Sequence, residues 1–270
     1  MRYDLGRYEM KYAIPARHRD AVLDIVGPFV EPDPHAGPLP GRPGRGYVVT
    51  SLYFDTDNLQ DYTDRLCEAN VRNRIRIRTY GLAGPKDPVF LENKRKLDDR
   101  VIKARTYVGN GPQWVDQPNP TPWTSVAVTP RNRSPLAAFV GPVEAGGRAP
   151  KTLVRYEREV FVGVDKSDPK LRLTLDHDVR GAQVDDARAL RADTPIALMP
   201  SDLMVMELKF DVLPPAWMRR MCRELRLRAG PVSKFGLSIY HCCRGDRPAE
   251  LRYLSTSWSP RRSAASASAA

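Results

Sequence analysis

The stretch from Arg72 to Tyr80, RNRIRIRTY, puts Arg72, Arg74, Arg76 and Arg78 on one side of an extended chain and Ile75 and Ile77 on the other. A helix would scatter these charges around its circumference, so the two-residue period specifies a strand with two chemically opposed faces. The same alternation recurs along the chain. Arg7, Glu9 and Lys11 share one face of a first segment, and residues 47–55 (YVVTSLYFD) form a second. Residues 88–96 and 100–108 read as a hairpin around Leu97-Asp98-Asp99, with Glu92, Lys94 and Lys96 on one arm and Lys103 and Arg105 on the other. Residues 152–164, 170–178 and 203–211 bring the expected strands to eight.

Helices are fewer. One is expected from Pro15 to about Val26, where proline suits the first helical position and Gly27-Pro28 ends it. A second runs from Pro214 or Pro215 to about Leu227, stopped by Gly230-Pro231, and a third covers Lys234–Cys243. The later two follow most of the strands, which gives α+β rather than an alternating βαβ chain. Residues 31–46 and 109–135 are rich in proline and glycine and read as long surface loops. From Ser255 the chain becomes low-complexity (ending SPRRSAASASAA), so the reading is one domain over 1–254 and a disordered tail over 255–270.

Eight strands suffice to close a barrel, and closure removes exposed edges. Alternation alone leaves open which way the charged faces turn. The arginines could form a solvated exterior around an apolar core. Alternatively they face inward while helices cover the apolar faces. A dry charged interior would cost several kcal/mol for each unpaired ion, whereas a water-filled tunnel that admits a polyanion avoids that cost. The fold expected is therefore α+β, an eight-stranded antiparallel β-barrel tunnel with a polar basic interior, flanked by a few helices. The net charge of +11 also points to an anionic partner, though nucleic acid, acidic lipid and phosphorylated small molecules all satisfy it. No apolar stretch reaches the ~20 residues of a membrane span. The N-terminus lacks an apolar signal core, and a cytoplasmic setting is expected. Cys67, Cys222, Cys242 and Cys243 have neither zinc-ligand spacing nor disulfide-scaffold density, and reduced thiols are expected.

Nine short motifs resemble, in order, one known family: RYEMKY at 7–12, SLYFDT at 51–56, RIRIRTYG at 74–81, FLENK at 90–94, VIKAR at 101–105, YER at 156–158, RLTLD at 172–176, MELKF at 206–210 and SKF at 233–235. The family is the VTC domain, the polyphosphate polymerase domain of the vacuolar transporter chaperone complex, within the triphosphate tunnel metalloenzymes. The resemblance implies transfer of the γ-phosphate of ATP to a growing inorganic polyphosphate chain inside a basic tunnel, with Mn²⁺ or Mg²⁺ as cofactor. ATP and polyphosphate or pyrophosphate would be its partners. Coupling to export would need a separate membrane partner.

Residue by residue, the resemblance assigns phosphate chemistry to Lys11, Arg76, Arg78, Lys94, Lys103, Arg158 and Arg172, and the metal to Glu207. Ser233 and Lys234 match its Ser-Lys at the start of the last helix, and Arg74 and Lys209 have the strand parity to join the phosphate set. Pro231 stands where the family's yeast member carries a further lysine. Glu9 and Glu92 are open between metal ligation and neutralising nearby lysines. Asp176 is open in the same way, with its place opposite Arg172 favouring an ion pair over metal ligation; His177 reads as structural, and Lys96, Arg105 and Arg155 as rim or solvent charges. The Tyr53–Asp55 segment either shapes a tunnel mouth or caps a strand.

Rival functions remain. A triphosphatase or nucleotide cyclase of the same superfamily would carry Glu-x-Glu-x-Lys in the first strand, and Arg7 occupies the first of those glutamate positions. A non-catalytic polyphosphate-binding module would keep the tunnel without turnover. A nucleic-acid binder ranks last, because the bases lie along strands without an aromatic stacking array.

Overall fold

The apolar residues of the alternating segments are buried together on one side of a single sheet, and the charged ones meet on the other. The computed structural model describes residues 8–97, 100–165, 171–211, 213–243, 245–246 and 251. Arg7, Asp98, Asp99 and the tail at 255–270 lie outside them. Eight long strands are β1 (Tyr8–Pro15), β2 (Arg45–Asp55), β3 (Ile75–Tyr80), β4 (Pro88–Leu97), β5 (Arg100–Asn110), β6 (Ala149–Gly163), β7 (Arg172–Gln183) and β8 (Leu203–Phe210). They pair antiparallel in the order β1-β8-β7-β6-β2-β3-β4-β5.

That order fixes the shape. Six steps separate β1 from β4, roughly 29 Å in a flat sheet at ~4.8 Å per step. Yet Glu9 on β1 lies 3.5 Å from Lys94 on β4. The sheet is therefore strongly curled, with its charged side concave. The closed barrel expected from sequence is not seen in the backbone. Among the described residues no ladder joins β1 to β5, and it is the Glu9–Lys94 pair that reaches across the seam.

The convex face is apolar and covered by helices. Leu52, Phe54, Ile75, Ile77 and Leu91 pack against Trp114 of α3 (Gly111–Val115) and Leu136 and Phe139 of α4 (Arg133–Glu144). Around β1, β7 and β8, Ile14, Leu173, Leu175 and Met206 pack against α1 (Arg19–Val26) and α5 (Ala216–Glu224). These two helices begin behind the expected prolines, α1 after a short 3-10 turn at Ala16–His18. The loop expected at 109–135 instead contains α3 and a 3-10 turn at Pro122–Ser125, and α4 begins within its end. A further helix, α2 (Gln60–Leu66), was not expected; the Asp55 carboxylate accepts the backbone N–H groups of Asp61 and Tyr62 at its start. Asp55 thus caps a helix rather than a strand.

The last helix, α6 (Lys234–Cys242), is the exception to this layering. It packs on the concave side, where Phe235, Leu237 and Ile239 meet Val49, Val154 and Val205. A bulge in β7 makes this possible. Between His177 and Arg180 two residues of β7, Asp178 and Val179, stand against one of β6, Tyr156, with Asp178 left-handed at φ 43°. The extra residue inverts the strand parity. Arg172, Thr174 and Asp176 are presented to the charged part of the face, and Val179 beyond the bulge is presented to α6.

All four cysteines are free thiols. No described helix is long and apolar enough to cross a membrane.

Phe235 packs at a tilt against Tyr53, ring centroids 5.3 Å apart, and meets Tyr62 edge-on at 6.3 Å. Phe235→Ala should therefore cost ~3–5 kcal/mol in urea unfolding. A loss under ~1 kcal/mol would show that α6 is not an integral part of the core.

Candidate phosphate-binding face

Strand parity delivers Glu9 and Lys11 (β1), Glu207 and Lys209 (β8), Arg172 and Asp176 (β7) and Arg158 (β6) to one half of the concave face. The other half holds Arg76 and Arg78 (β3), Glu92 and Lys94 (β4) and Lys103 and Arg105 (β5). Arg74 lies just ahead of β3, close enough to Tyr53, Arg76 and Glu9 to feel their charges. The basic side chains clearly outnumber the four carboxylates, so each carboxylate is shared.

Asp176 takes the Arg158 fork, Nε to Oδ1 at 2.6 Å and Nη2 to Oδ2 at 2.7 Å, together with Lys234 Nζ at 2.5 Å. Burial would raise its pKa, but Arg158 and Lys234 outweigh that and bring it down to about 2. Its partner is thus Arg158, directly opposite in the β6–β7 register, and not Arg172 as expected. Arg172 instead pairs with buried Asp33 from the loop before β2. On β4, Glu92 accepts from Arg76 at 2.7 Å and lies 3.3 Å from both Lys103 and Arg105. Burial works against its ionisation, yet Arg76, Arg78, Lys103 and Arg105 hold it well below the carboxylate range.

Glu207 lies 3.2 Å from Lys209, 3.5 Å from Arg158 and 3.8 Å from Lys11, which itself holds Glu9 at 2.9 Å. Against the effect of burial, Lys209, Lys11 and Arg158 keep Glu207 ionised. Among the described residues no three of His, Cys, Asp and Glu converge, so the protein offers no complete metal cage. Glu207 with Glu9 does fit a cation such as Mg²⁺ or Mn²⁺, which takes one or two carboxylates and completes its shell with phosphate oxygens and water. Glu92, surrounded by four cations, serves neutralisation.

Two arginines stand apart. Arg78 is only 7% exposed, and the partners of its guanidinium are the neutral hydroxyls of Ser51 at 2.9 Å and Tyr156 at 3.4 Å. Arg74 likewise has no carboxylate within ion-pair distance among the described residues, and burial lowers its pKa. A buried guanidinium that lacks an anion is costly. Ser233 caps α6 by accepting the Gly236 N–H, which places the start of that helix beside Asp176, through Lys234.

The VTC domain matches residues 6–242 of the chain. The chain belongs to the VTC domain family. None of the curated proteins matches it. Solved structures similar to this VTC domain include a candidate adenylyl cyclase from Hippeastrum whose dominant activity is that of a triphosphatase. It is 15% identical with a TM-score of 0.49, over 86% of this chain and 94% of that one. A candidate adenylate cyclase from Vibrio parahaemolyticus is 11% identical with a TM-score of 0.43, over 86% and 98%.

The structure of this VTC domain brings every described candidate onto, or beside, the concave face. His177 points the other way, its Nε2 2.8 Å from Glu159, as a structural role requires. Arg155 is also on the convex side, bonded to Thr50 and the Leu190 carbonyl rather than exposed to solvent. Sequence reasoning left Tyr53 open between a tunnel mouth and a strand cap, and it missed Tyr156 and Thr174. The Thr174 hydroxyl is fully buried, has no hydrogen-bond partner among the described residues, and sits opposite Glu207 in the β7–β8 register. Parity in RLTLD places it between Arg172 and Asp176, and that signal was legible.

Tyr53 reports on the face directly. Its hydroxyl accepts from Arg76 at 3.2 Å. Burial pushes its pKa up, but Arg76, Arg78 and Arg74 together bring it down to about 8. The phenolate absorbance of the protein minus that of Tyr53→Phe should titrate near pH 8, and saturating tripolyphosphate should move this midpoint up by screening the arginines. Absence of a component below the ordinary tyrosine range would refute the clustering of charge around Tyr53.

Proposed function

We propose that this VTC domain is a polyphosphate polymerase that transfers the γ-phosphoryl group of ATP to the end of a polyphosphate chain on its concave basic face. The observation that carries this reading is Arg78, a buried guanidinium whose hydrogen-bond partners among the described residues are hydroxyls, beside Arg74, which has no carboxylate within ion-pair distance among those residues. Phosphate oxygens are the anions that would complete both. Family membership supports the same reading. The curled sheet would act as the wall of a tunnel, open to water, with its polar interior neutralised when a polyanion enters.

Phosphoryl transfer asks little covalent chemistry of a protein; it requires alignment and charge neutralisation. In this reading Arg74, Arg76 and Arg78 hold phosphate oxygens by their planar forks, and Lys94 and Lys103 follow the moving charge as flexible ammonium groups. Arg158, Arg172, Lys11 and Lys209 serve the phosphates on the opposite half, with Ser233 and Lys234 at the start of α6. Glu92 and Asp176 fix Arg76 and Arg158 in place, so that orientation is settled before substrate arrives. A divalent ion held by Glu207 with Glu9 would polarise the phosphates. The terminal oxygen of the polyphosphate forms a bond to the γ-phosphorus, the bond from that phosphorus to the β,γ-bridging oxygen breaks, and ADP leaves with the electron pair. No serine or cysteine nucleophile is involved. Delivery of the product across a membrane would fall to a separate partner, with this domain on the cytoplasmic side.

With ATP and Mn²⁺ or Mg²⁺ the protein should produce polyphosphate and ADP in step. Glu207→Ala should abolish product, and Arg78→Ala should lower kcat by ~10²–10³. Free phosphate as the sole product would replace this reading with a triphosphatase. Salt-sensitive polyphosphate binding without turnover would replace it with a binding module. Full activity in Glu207→Ala would overturn the metal assignment.

A further inference from the structure

One group of residues on the concave face is not used by phosphate chemistry. Tyr47, Tyr80, Phe90 and Tyr107, on four neighbouring strands, form a continuous row of edge-to-face contacts with centroids 5.2, 5.9 and 5.8 Å apart. Arg105, expected to be a rim or solvent charge, lies within this row. Its guanidinium carbon is 3.7 Å from the Phe90 centroid and 5.4 Å from that of Tyr80. Its Nε is 3.3 Å from Glu92 and its Nη2 donates to the Tyr80 hydroxyl at 3.3 Å.

The arrangement has two consequences. Glu92 and Tyr80 hold the guanidinium plane in one orientation over Phe90, and the side chain is still 33% exposed, so its other face is accessible. The neighbouring Tyr107 is 53% exposed. A flat cationic group with an open face, beside an open aromatic ring, is a stacking surface for a flat π-system. It is also continuous with the phosphate cradle. Glu92 binds Arg105 and Lys103 through the same oxygen, and Phe90 is the cross-strand neighbour of Arg78. Lys103, Arg105 and Tyr107 succeed one another on one face of β5, so Tyr107 is ~14 Å along the strand from Lys103.

We propose that Arg105 and Tyr107, backed by Phe90 and Tyr80, form a nucleobase platform that selects a nucleoside triphosphate over an inorganic triphosphate. This rests on the reading of the concave face as a triphosphate site, and it names the part of the substrate that reading leaves unassigned. The hydroxyls beside the open face are already engaged: that of Tyr107 donates to Asn110, and that of Tyr80 accepts from Arg105. Selection is therefore by stacking area. ATP and GTP bind alike, and both bind ahead of CTP and UTP.

The test is calorimetric titration of the whole chain, with Mg²⁺ present, by ATP, GTP, CTP, UTP and tripolyphosphate. Purine nucleotides should bind on the order of ten-fold more tightly than tripolyphosphate, although tripolyphosphate carries more charge. Tyr107→Ala and Arg105→Lys should remove that advantage and leave tripolyphosphate affinity within about two-fold, since the first is far from the phosphates and the second keeps its charge. Equal binding of tripolyphosphate and nucleotides by the unmodified protein would overturn the platform and spare the phosphate cradle. So would variants that weaken all ligands equally. No binding of any triphosphate would overturn the cradle and the platform together.

Discussion

Like charges crowded onto one face of a curled sheet repel, and everything else in this protein is arranged around that repulsion. Curling brings Glu9 of β1 to within 3.5 Å of Lys94 on β4, so charges remote in a flat sheet become neighbours. Four carboxylates distribute the stress. Asp176 holds Arg158 and Lys234, Glu92 binds Arg76 and lies near Lys103 and Arg105, Glu207 is set among Lys209, Arg158 and Lys11, and Glu9 connects Lys11 to Lys94. They orient the cations without exhausting them. Among the described residues Arg78 and Arg74 have no carboxylate within ion-pair distance, and an anion from outside is the physical remedy.

Such a face can persist only on a scaffold that is stable for other reasons. The scaffold is the convex side, where α1 and α5 cover one apolar stretch of the sheet and α3 and α4 another. Outside the concave face, two buried carboxylates each have a cation of their own. Glu159 takes Arg19 and His177; burial raises its pKa, and these two partners bring it down to about 2. Arg148 forks onto Asp61 at 2.7 and 2.8 Å, tying α2 to the start of β6. On the concave face, by contrast, one carboxylate is shared among several cations.

The strands and their faces were legible because period-two alternation is a local property of the chain. All eight segments read from it are strands, and eight of the nine motifs lie along them, with SKF at the start of α6. What was not legible depends on register and distance. Parity put Arg172 and Asp176 on one face, but Asp176 is opposite Arg158 across the β6–β7 ladder, and Arg172 meets Asp33 from a loop far away in sequence. Likewise Arg105 shows only a charge in sequence; its stacking depends on Phe90 and Tyr80 from two other strands. Helix α4 was obscured because its buried Leu136, Phe139 and Val143 are set among proline and glycine, including Pro142 within the helix. Barrel closure was read from strand number alone, which carries no information about whether the end strands meet. Here a side-chain ion pair reaches across the seam, without a backbone ladder among the described residues.

If the surplus charge of this face is the central feature, a polyanion must stabilise the folded chain by relieving it, because a ligand that binds only the native state raises its melting temperature. The direct measurement is thermal unfolding with increasing tripolyphosphate at constant ionic strength. The account predicts a saturating rise in Tm of several degrees, reached at about one tripolyphosphate per chain and diminished by added salt. An unchanged Tm, or a rise matched by sulfate at the same ionic strength, would contradict it.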